Sequence, residues 1–218
     1  MSFGMILLMA VFVLLLFGVG QRVMDKMRMN DKWALVLIAA IIGLSFVPNI
    51  EIGSVSVNIG GALIPLGVCV WLLIKCEGRE RLNALIGTVL TAAAIYGLGA
   101  LMPSEPEQIV LDPNYTYGIA AGIIAYIVSR SRRNSFICAV LGLILTDVFV
   151  AALNWGKGID QRLVIGSAGI LDSIVVSGLI AVLLSEIIGE IVERISRASK
   201  SAEQNELLMM RRKKEGGR

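Results

Sequence analysis

Two aspartates stand inside long apolar stretches of the sequence, and they are the residues best placed to do chemistry. Asp147 lies in the run Leu143–Val148, and Asp172 follows the small-residue run Gly166–Leu171. A charged side chain at the centre of a bilayer costs about 2.5 kcal/mol or more, so a carboxyl retained there predicts a function. Paired carboxyls can share a proton, activate a water molecule for hydrolysis, or bind a cation.

The two aspartates are predicted to lie at the same depth in the membrane. Asp147 falls in the apolar stretch Phe136–Trp155, and Asp172 falls in the stretch from Leu163 to about Leu184. A helical rise of 1.5 Å per residue puts each of them about 3 Å on the outer side of the midplane. Because the connection between the two stretches is short, we expect antiparallel neighbouring helices whose carboxyls face each other.

Three interpretations of this pair stay open. Each aspartate could bond a neighbouring polar side chain and serve only packing. The pair could be a proteolytic dyad, with Asp147 and Asp172 as the catalytic residues. It could also be the coupling site of a proton- or cation-driven carrier, although the sequence has no clear internal repeat of the kind that many carriers show.

Small residues accompany both predicted site segments. Gly60, Gly61 and Pro65 open the third apolar stretch and predict a broken or closely packed helix start. Gly166, Gly169 and Ser173 flank Asp172 and would let a neighbouring helix approach closely, as would the pair Gly118 and Gly122. Before the third stretch, residues 50–59 alternate apolar and polar side chains, which predicts a short strand or hairpin.

The elements that must position these residues are predicted to be transmembrane helices. Of the 218 residues, 56% are hydrophobic and only 17% are charged, and the apolar residues come in blocks. The fold class is therefore an all-α integral membrane protein with about seven spans. The predicted spans are Phe3–Gly20, Trp33–Val47, Ile59–Ile74, Leu82–Met102, Tyr115–Ser129, Phe136–Trp155 and Leu163 to about Leu184.

The basic residues predict the orientation. With seven spans, all of the 20 Lys and Arg residues except Lys157 and Arg162 fall on one side of the membrane. Cytoplasmic loops carry the excess of Lys and Arg, so the N-terminus is predicted outside and the C-terminus in the cytoplasm. Residues 1–192 would form the transmembrane domain and residues 193–218 a charged cytoplasmic tail.

Several kinds of site are excluded by composition. The chain has no histidine, which removes Ser-His-Asp and Cys-His catalysis and histidine metal ligation. Its three cysteines, Cys69, Cys76 and Cys138, form no metal-binding or disulfide pattern. No cofactor and no metal is predicted.

Three segments resemble a known family of uncharacterised prokaryotic membrane proteins, DUF1614. They are Gly60–Pro65, Leu141–Asp147 and Ile165–Leu184, and the resemblance covers about residues 58–184. It implies a divergent member, and it supports the architecture and the two Asp positions without supplying a reaction. A looser likeness in geometry is to the GxGD intramembrane aspartyl proteases, whose two aspartates also lie on consecutive spans. Here Asp172 follows Gly169 by three residues, where that class has one.

The sequence thus predicts a multi-pass protein of a prokaryotic plasma membrane, the inner membrane where there are two. The specific hypothesis is an intramembrane aspartyl-protease-like protein, and whether it is an enzyme at all is left open. The alternatives are a proton- or cation-coupled transporter of small solutes and a non-enzymatic scaffold or assembly factor. The predicted partners are the bilayer, anionic lipid at the cytoplasmic face and a transmembrane substrate or partner helix, and no nucleic acid.

Overall fold

The structure is a computed structural model that describes residues 36, 39–41, 43–101, 113–167, 172–189, 191–192 and 195. The predicted first span and the charged tail lie outside the described residues, and the second span is described only in part. By its internal contacts the chain divides into two compact units, Met1–Ser185 and Glu186–Arg218. The elements below belong to the first unit, except that the last helix ends at Gly189.

Four predicted spans appear as helices close to their expected bounds. A one-turn π-helix, Ile59–Leu63, leads into α1, Ile64–Lys75. Helices α2, Gly78–Leu101, α3, Pro113–Ser129, and α4, Arg132–Gly156, follow. Pro65 stands in the first turn of α1, at the junction where the π-helix gives way to the α-helix.

The predicted hairpin before the third span is confirmed, and a third strand joins it. Strands β1, Ile50–Ile52, and β2, Val55–Val57, pair antiparallel across a turn in which Gly53 has a φ of +59°. Strand β3, Leu163–Ile165, then pairs parallel with β2, giving the sheet order β1-β2-β3. Two loops that are far apart in sequence therefore meet in one small sheet.

The prediction of one continuous seventh helix from Leu163 is wrong. Leu163–Ile165 is the strand β3, Gly166 turns the chain with a φ of +73°, and the helix α5 begins only at Ser173 and runs to Gly189. The β-branched pair Val164–Ile165 suits a strand, and Gly166 adopts the left-handed conformation without the steric cost of a Cβ. A hydropathy pattern cannot separate a short buried strand from the start of a helix.

The basic loops lie together at the end of the bundle away from the sheet. The Arg81 Nε atom donates to the carbonyl of Leu73 at 3.0 Å, which ties the start of α2 to the end of α1. Arg133 lies 3.8 Å from the carboxylate of Glu80, which ties the start of α4 to α2. The structure thus places the loop between α1 and α2 and the loop between α3 and α4 at one end of the bundle, as the positive-inside argument requires. Which end faces the cytoplasm stays a prediction.

The helices expose apolar surface as well as burying it. Within the described residues, α2 and α4 are long and apolar enough to cross a membrane, and the segments Ile59–Lys75, Thr116–Ser129 and Ser173–Gly189 are shorter apolar helices. In the most apolar window of each long helix, only 33% and 44% of the residues are buried. A core helix of a soluble protein would be mostly buried, so these exposed faces suit contact with lipid.

Candidate functional site

Asp147 is presented by the part of α4 that packs against α2. Close packing is possible because Gly142 has no side chain, and a Cβ there would come within 2.8 Å of Thr91. The Thr146 hydroxyl lies 2.9 Å from the carbonyl of Gly142 and 3.2 Å from that of Ala92, so it can donate to either and ties α4 to α2. Asp147 is half-buried and faces a cavity beside this contact.

The sequence predicted that Asp172 lies in the middle of a helix, and this is wrong. Asp172 instead caps the start of α5. Its Oδ1 accepts a hydrogen bond from the N–H of Ile174 at 3.0 Å, and the Ser173 hydroxyl lies 3.4 Å from the same oxygen. Its carbonyl accepts from the N–H of Val176. Aspartate is among the preferred residues at a helix N-cap, because its side chain satisfies an N–H that the helix cannot. Asp172 is 6% exposed.

The structure brings the two carboxyls to neighbouring helices, Asp147 to α4 and Asp172 to the start of α5. The helices that carry them are antiparallel neighbours, since a Cβ at Gly178 of α5 would meet Phe136 and Val140 of α4. Two carboxylates near each other, both withdrawn from water, oppose each other's ionisation. The arrangement can be relieved by a shared proton or by a bound cation.

A cavity of about 650 Å³ opens beside Asp147, between α2, α3, α4 and the sheet. Its volume falls within the usual range of small-molecule sites. The polar groups around it come from Tyr96, Tyr117, Thr146, Asp147, Gln161 and Arg162. The remaining lining is apolar or backbone, contributed by Ile95, Gly99, Ala100, Leu143, Val150, Ala151, Leu163 and Val164.

The predicted small-residue segments form the support of the site rather than its lining. A Cβ on Gly60 would come within 2.6 Å of the carbonyl of Ile41, and one on Gly166 would come within 2.7 Å of the backbone of Gly61. These glycines therefore bring the π-helix, the preceding helical residues and the segment after β3 into backbone contact. Gly169, also predicted as a supporting residue, lies outside the described residues.

The Gly118 and Gly122 pair of α3 packs on α5, as their spacing predicted. A Cβ on Gly118 would lie 3.1 Å from the carbonyl of Ser173, and one on Gly122 would lie 2.9 Å from the carbonyl of Ser177. The first of these contacts holds the N-terminal turn of α5, and with it Asp172, against α3. Ser173 thus supports the site through its backbone.

Asn58 is a supporting residue that the sequence did not reveal. Its Oδ1 accepts from the N–H of Gly61 at 2.8 Å, while its Nδ2 donates to Asn49 at 2.8 Å and, more weakly, to the carbonyl of Val47. Its backbone N–H donates to Ile165. A buried asparagine whose hydrogen bonds reach residues 47–49, the π-helix and β3 has no signature in one sequence.

The cavity residues from the loop before β3 were missed for a different reason. Gln161 and Arg162 appeared to belong to an exposed connection, and only the pairing of β3 with β2 brings them over the helices. Tyr117 had the sequence signal of an interfacial aromatic, whereas Tyr96 lay inside the predicted fourth span, and nothing in the sequence placed the two in one cavity. Among the described residues, no group of three or more Cys, Asp or Glu side chains could hold a metal ion.

The helices with apolar faces suited to lipid, with the small sheet at one end of them, define a helical integral membrane protein. The sequence profile of the YphA-like integral membrane proteins matches residues 3–207, nearly the whole chain. The chain belongs to this YphA-like family, and its place in a membrane follows from that membership. The resemblance to DUF1614 and the likeness to intramembrane aspartyl proteases are not confirmed by this match. No curated protein and no solved structure matches the chain.

Proposed function

We propose that this protein is a multi-pass protein of a prokaryotic plasma membrane that binds a proton or a small cation at Asp147 and Asp172 and couples it to a small solute. The observation that carries the proposal is that Asp147 faces a cavity of about 650 Å³ and that a second carboxyl, Asp172, lies at the start of the neighbouring helix α5. A site of this kind has room for a solute, and its carboxyl groups attract positive charge.

The physical reason for the cation is the low dielectric around the pair. Two nearby carboxylates that are withdrawn from water cannot both ionise freely. A proton shared between them lowers their repulsion, and so does a cation that enters the cavity beside Asp147. Because the two ligands relieve the same repulsion, binding of one disfavours the other, which is the linkage that a coupled carrier uses.

An intramembrane aspartyl-protease-like activity is the second candidate, and the pairing of the two aspartates favours it. An aspartyl protease needs both carboxyls directed at the same water molecule. Here the Oδ1 of Asp172 accepts from the N–H of Ile174, and the cavity is lined by Asp147 and not by Asp172. A capping Asp172 suits a partner that tunes the charge of Asp147 better than it suits a second catalytic group.

The experiment that separates these functions uses purified protein in liposomes. Uptake of radiolabelled methylammonium is expected for the wild-type chain, and Asp147→Asn should abolish it. Asp172→Asn should change its dependence on pH, because the neighbouring charge is gone while an asparagine still caps α5. Asp160→Asn is the matched control, since Asp160 is an exposed acid in the loop before β3 and should leave uptake unchanged.

The same preparations test the alternatives. Cleavage of a transmembrane peptide that both Asp147→Asn and Asp172→Asn abolish, without methylammonium uptake by the wild type, would support the protease and refute the carrier. Neither uptake nor cleavage, with a chain shown to be folded by its melting curve, would leave a scaffold as the function. Abundance in cells must be equal across the variants for either comparison to count.

A further inference from the structure

The cavity beside Asp147 carries both signs of charge. Two residues of opposite charge line it, Asp147 of α4 and Arg162, the residue just before β3. Asp147 precedes Ala151 by one helical turn, about 6 Å, and Ala151 packs in the same cluster as Leu163 of β3. Asp147 lies within α4, whereas Arg162 lies in the connection that leads from the end of α4 at Gly156 to β3.

The backbone around Arg162 is held in place from both sides. The N–H of Leu163 donates to the carbonyl of Ser54 at 2.9 Å, next to the pairing of β3 with β2. The indole N–H of Trp155 donates to the carbonyl of Gln161 at 2.7 Å. The backbone of Arg162 is thus held in a fixed position at the edge of the cavity.

The side chain of Arg162 is engaged by a partner that is easily exchanged. Its Nη2 lies 3.0 Å from the carboxylate of Glu51 in β1, and the two side chains are 55% and 57% exposed. Exposed ion pairs of this kind contribute little to stability. A guanidinium has five N–H donors in a fixed fork, so an anion in the cavity can share Arg162 with Glu51 or replace it.

From this arrangement we propose that the solute is a small zwitterion, with an ammonium group that binds Asp147 and a phosphate or carboxylate that binds Arg162. The inference rests on the proposed function and adds the class of its substrate. The Glu51–Arg162 pair then acts as a latch on the Arg162 side chain, and the anionic end of the solute displaces Glu51 from it. Arg162 is the specificity-determining residue, and Asp147 remains the group that binds the cation.

The two charges select against simpler ligands. A monocation is attracted by Asp147 and repelled by Arg162. A monoanion is attracted by Arg162 and repelled by Asp147. A molecule whose opposite charges are a few bond lengths apart satisfies both ends. The same chemistry occurs in free amino acids and aminophosphates and in the headgroup of an ethanolamine phospholipid, so the test must separate a soluble source from a lipid source.

The test compares two probes on the full-length protein in nanodiscs of choline lipid. Phosphoethanolamine, a zwitterion, is expected to bind at least about tenfold more tightly than methylammonium, a simple cation. Arg162→Gln should remove that preference while methylammonium still binds. Lys157→Gln, which removes an exposed cation of the same loop that does not line the cavity, should leave the preference intact. Glu51→Gln should strengthen phosphoethanolamine binding by about two- to fivefold, because the latch is lost.

The outcomes of this test are distinguishable. Binding of both probes with equal affinity, or a preference that survives Arg162→Gln, overturns the zwitterion and leaves the proposed function standing. Binding of neither probe overturns the proposed function and the inference together. When the preference is found, nanodiscs that contain ethanolamine lipid give the source. A loss of phosphoethanolamine binding there identifies the lipid headgroup, and unchanged binding identifies a soluble zwitterion.

Discussion

Gly166 gives the sharpest test of how the site is supported, through the variant Gly166→Ala. Its φ of +73° is in the left-handed region, where a Cβ costs about 1–2 kcal/mol. An added Cβ would also lie 2.7 Å from the amide nitrogen of Ala62 and 2.7 Å from the carbonyl carbon of Gly61. Both are backbone atoms that no rotamer change can move, and overpacking of this kind costs about 1–3 kcal/mol. We expect Gly166→Ala to lower the free energy of unfolding by about 2–5 kcal/mol.

The matched control for Gly166→Ala is Gly158→Ala. Gly158 has nearly the same φ, +75°, and an added Cβ there would meet nothing within 4 Å. Gly158→Ala should therefore show the conformational cost alone, about 1–2 kcal/mol. The difference between the two variants isolates the backbone contact between the segment after β3 and the π-helix.

The assay is reversible unfolding in detergent micelles by titration with sodium dodecyl sulfate, followed by circular dichroism. If the two variants lose the same stability within about 0.5 kcal/mol, the segment after β3 does not touch the π-helix as described. The backbone contact through which Gly166 supports the π-helix would then be wrong.

Four further predictions concern the helix contacts, the caps and a thiol. Gly142→Ala should destabilise the fold by about 1–3 kcal/mol, since a Cβ at Gly142 overlaps Thr91. Adding Thr91→Ala to that variant should restore part of the lost stability. Additive losses in a double-mutant cycle would contradict the contact. Asp172→Ala should cost about 1 kcal/mol in the same unfolding assay and Asp172→Asn much less, because only alanine fails to cap α5; equal losses would argue against the cap. Asn58→Ala should lower the free energy of unfolding by about 2 kcal/mol or more, because it removes buried hydrogen bonds. Asn58→Asp should also be destabilised, since a carboxylate cannot donate to Asn49. An Asn58→Asp chain as stable as the wild type would refute this network. Burial raises the pKa of the Cys76 thiol, and the nearby Glu80 raises it further. In a chain without the other two cysteines, the alkylation rate of Cys76 should therefore be lower than in the unfolded chain and should continue to increase at higher pH. Equal rates in the folded and unfolded chains would refute the burial.

Most of the bundle could be predicted because a transmembrane helix is specified locally. The apolar stretches of the third to sixth spans and the basic loops between them carry their own signal, since lipid requires each stretch to satisfy its backbone within itself. The hairpin at residues 50–57 was also readable, from its alternation of apolar and polar side chains. The two aspartates drew notice by residue type alone, because a carboxyl inside an apolar run is costly.

Tertiary structure decided what the sequence could not. The sequence from Leu163 to Leu184 reads as one apolar stretch, yet its start is a strand because β2 offers it a pairing edge. Because β3 pairs with β2, the helix begins later, and Asp172 is a helix cap instead of a mid-span residue. The same pairing also carries Arg162 from an exposed loop to the edge of a cavity. Pairing between strands more than 100 residues apart depends on which surfaces the helices leave free, and that information is not local to any segment.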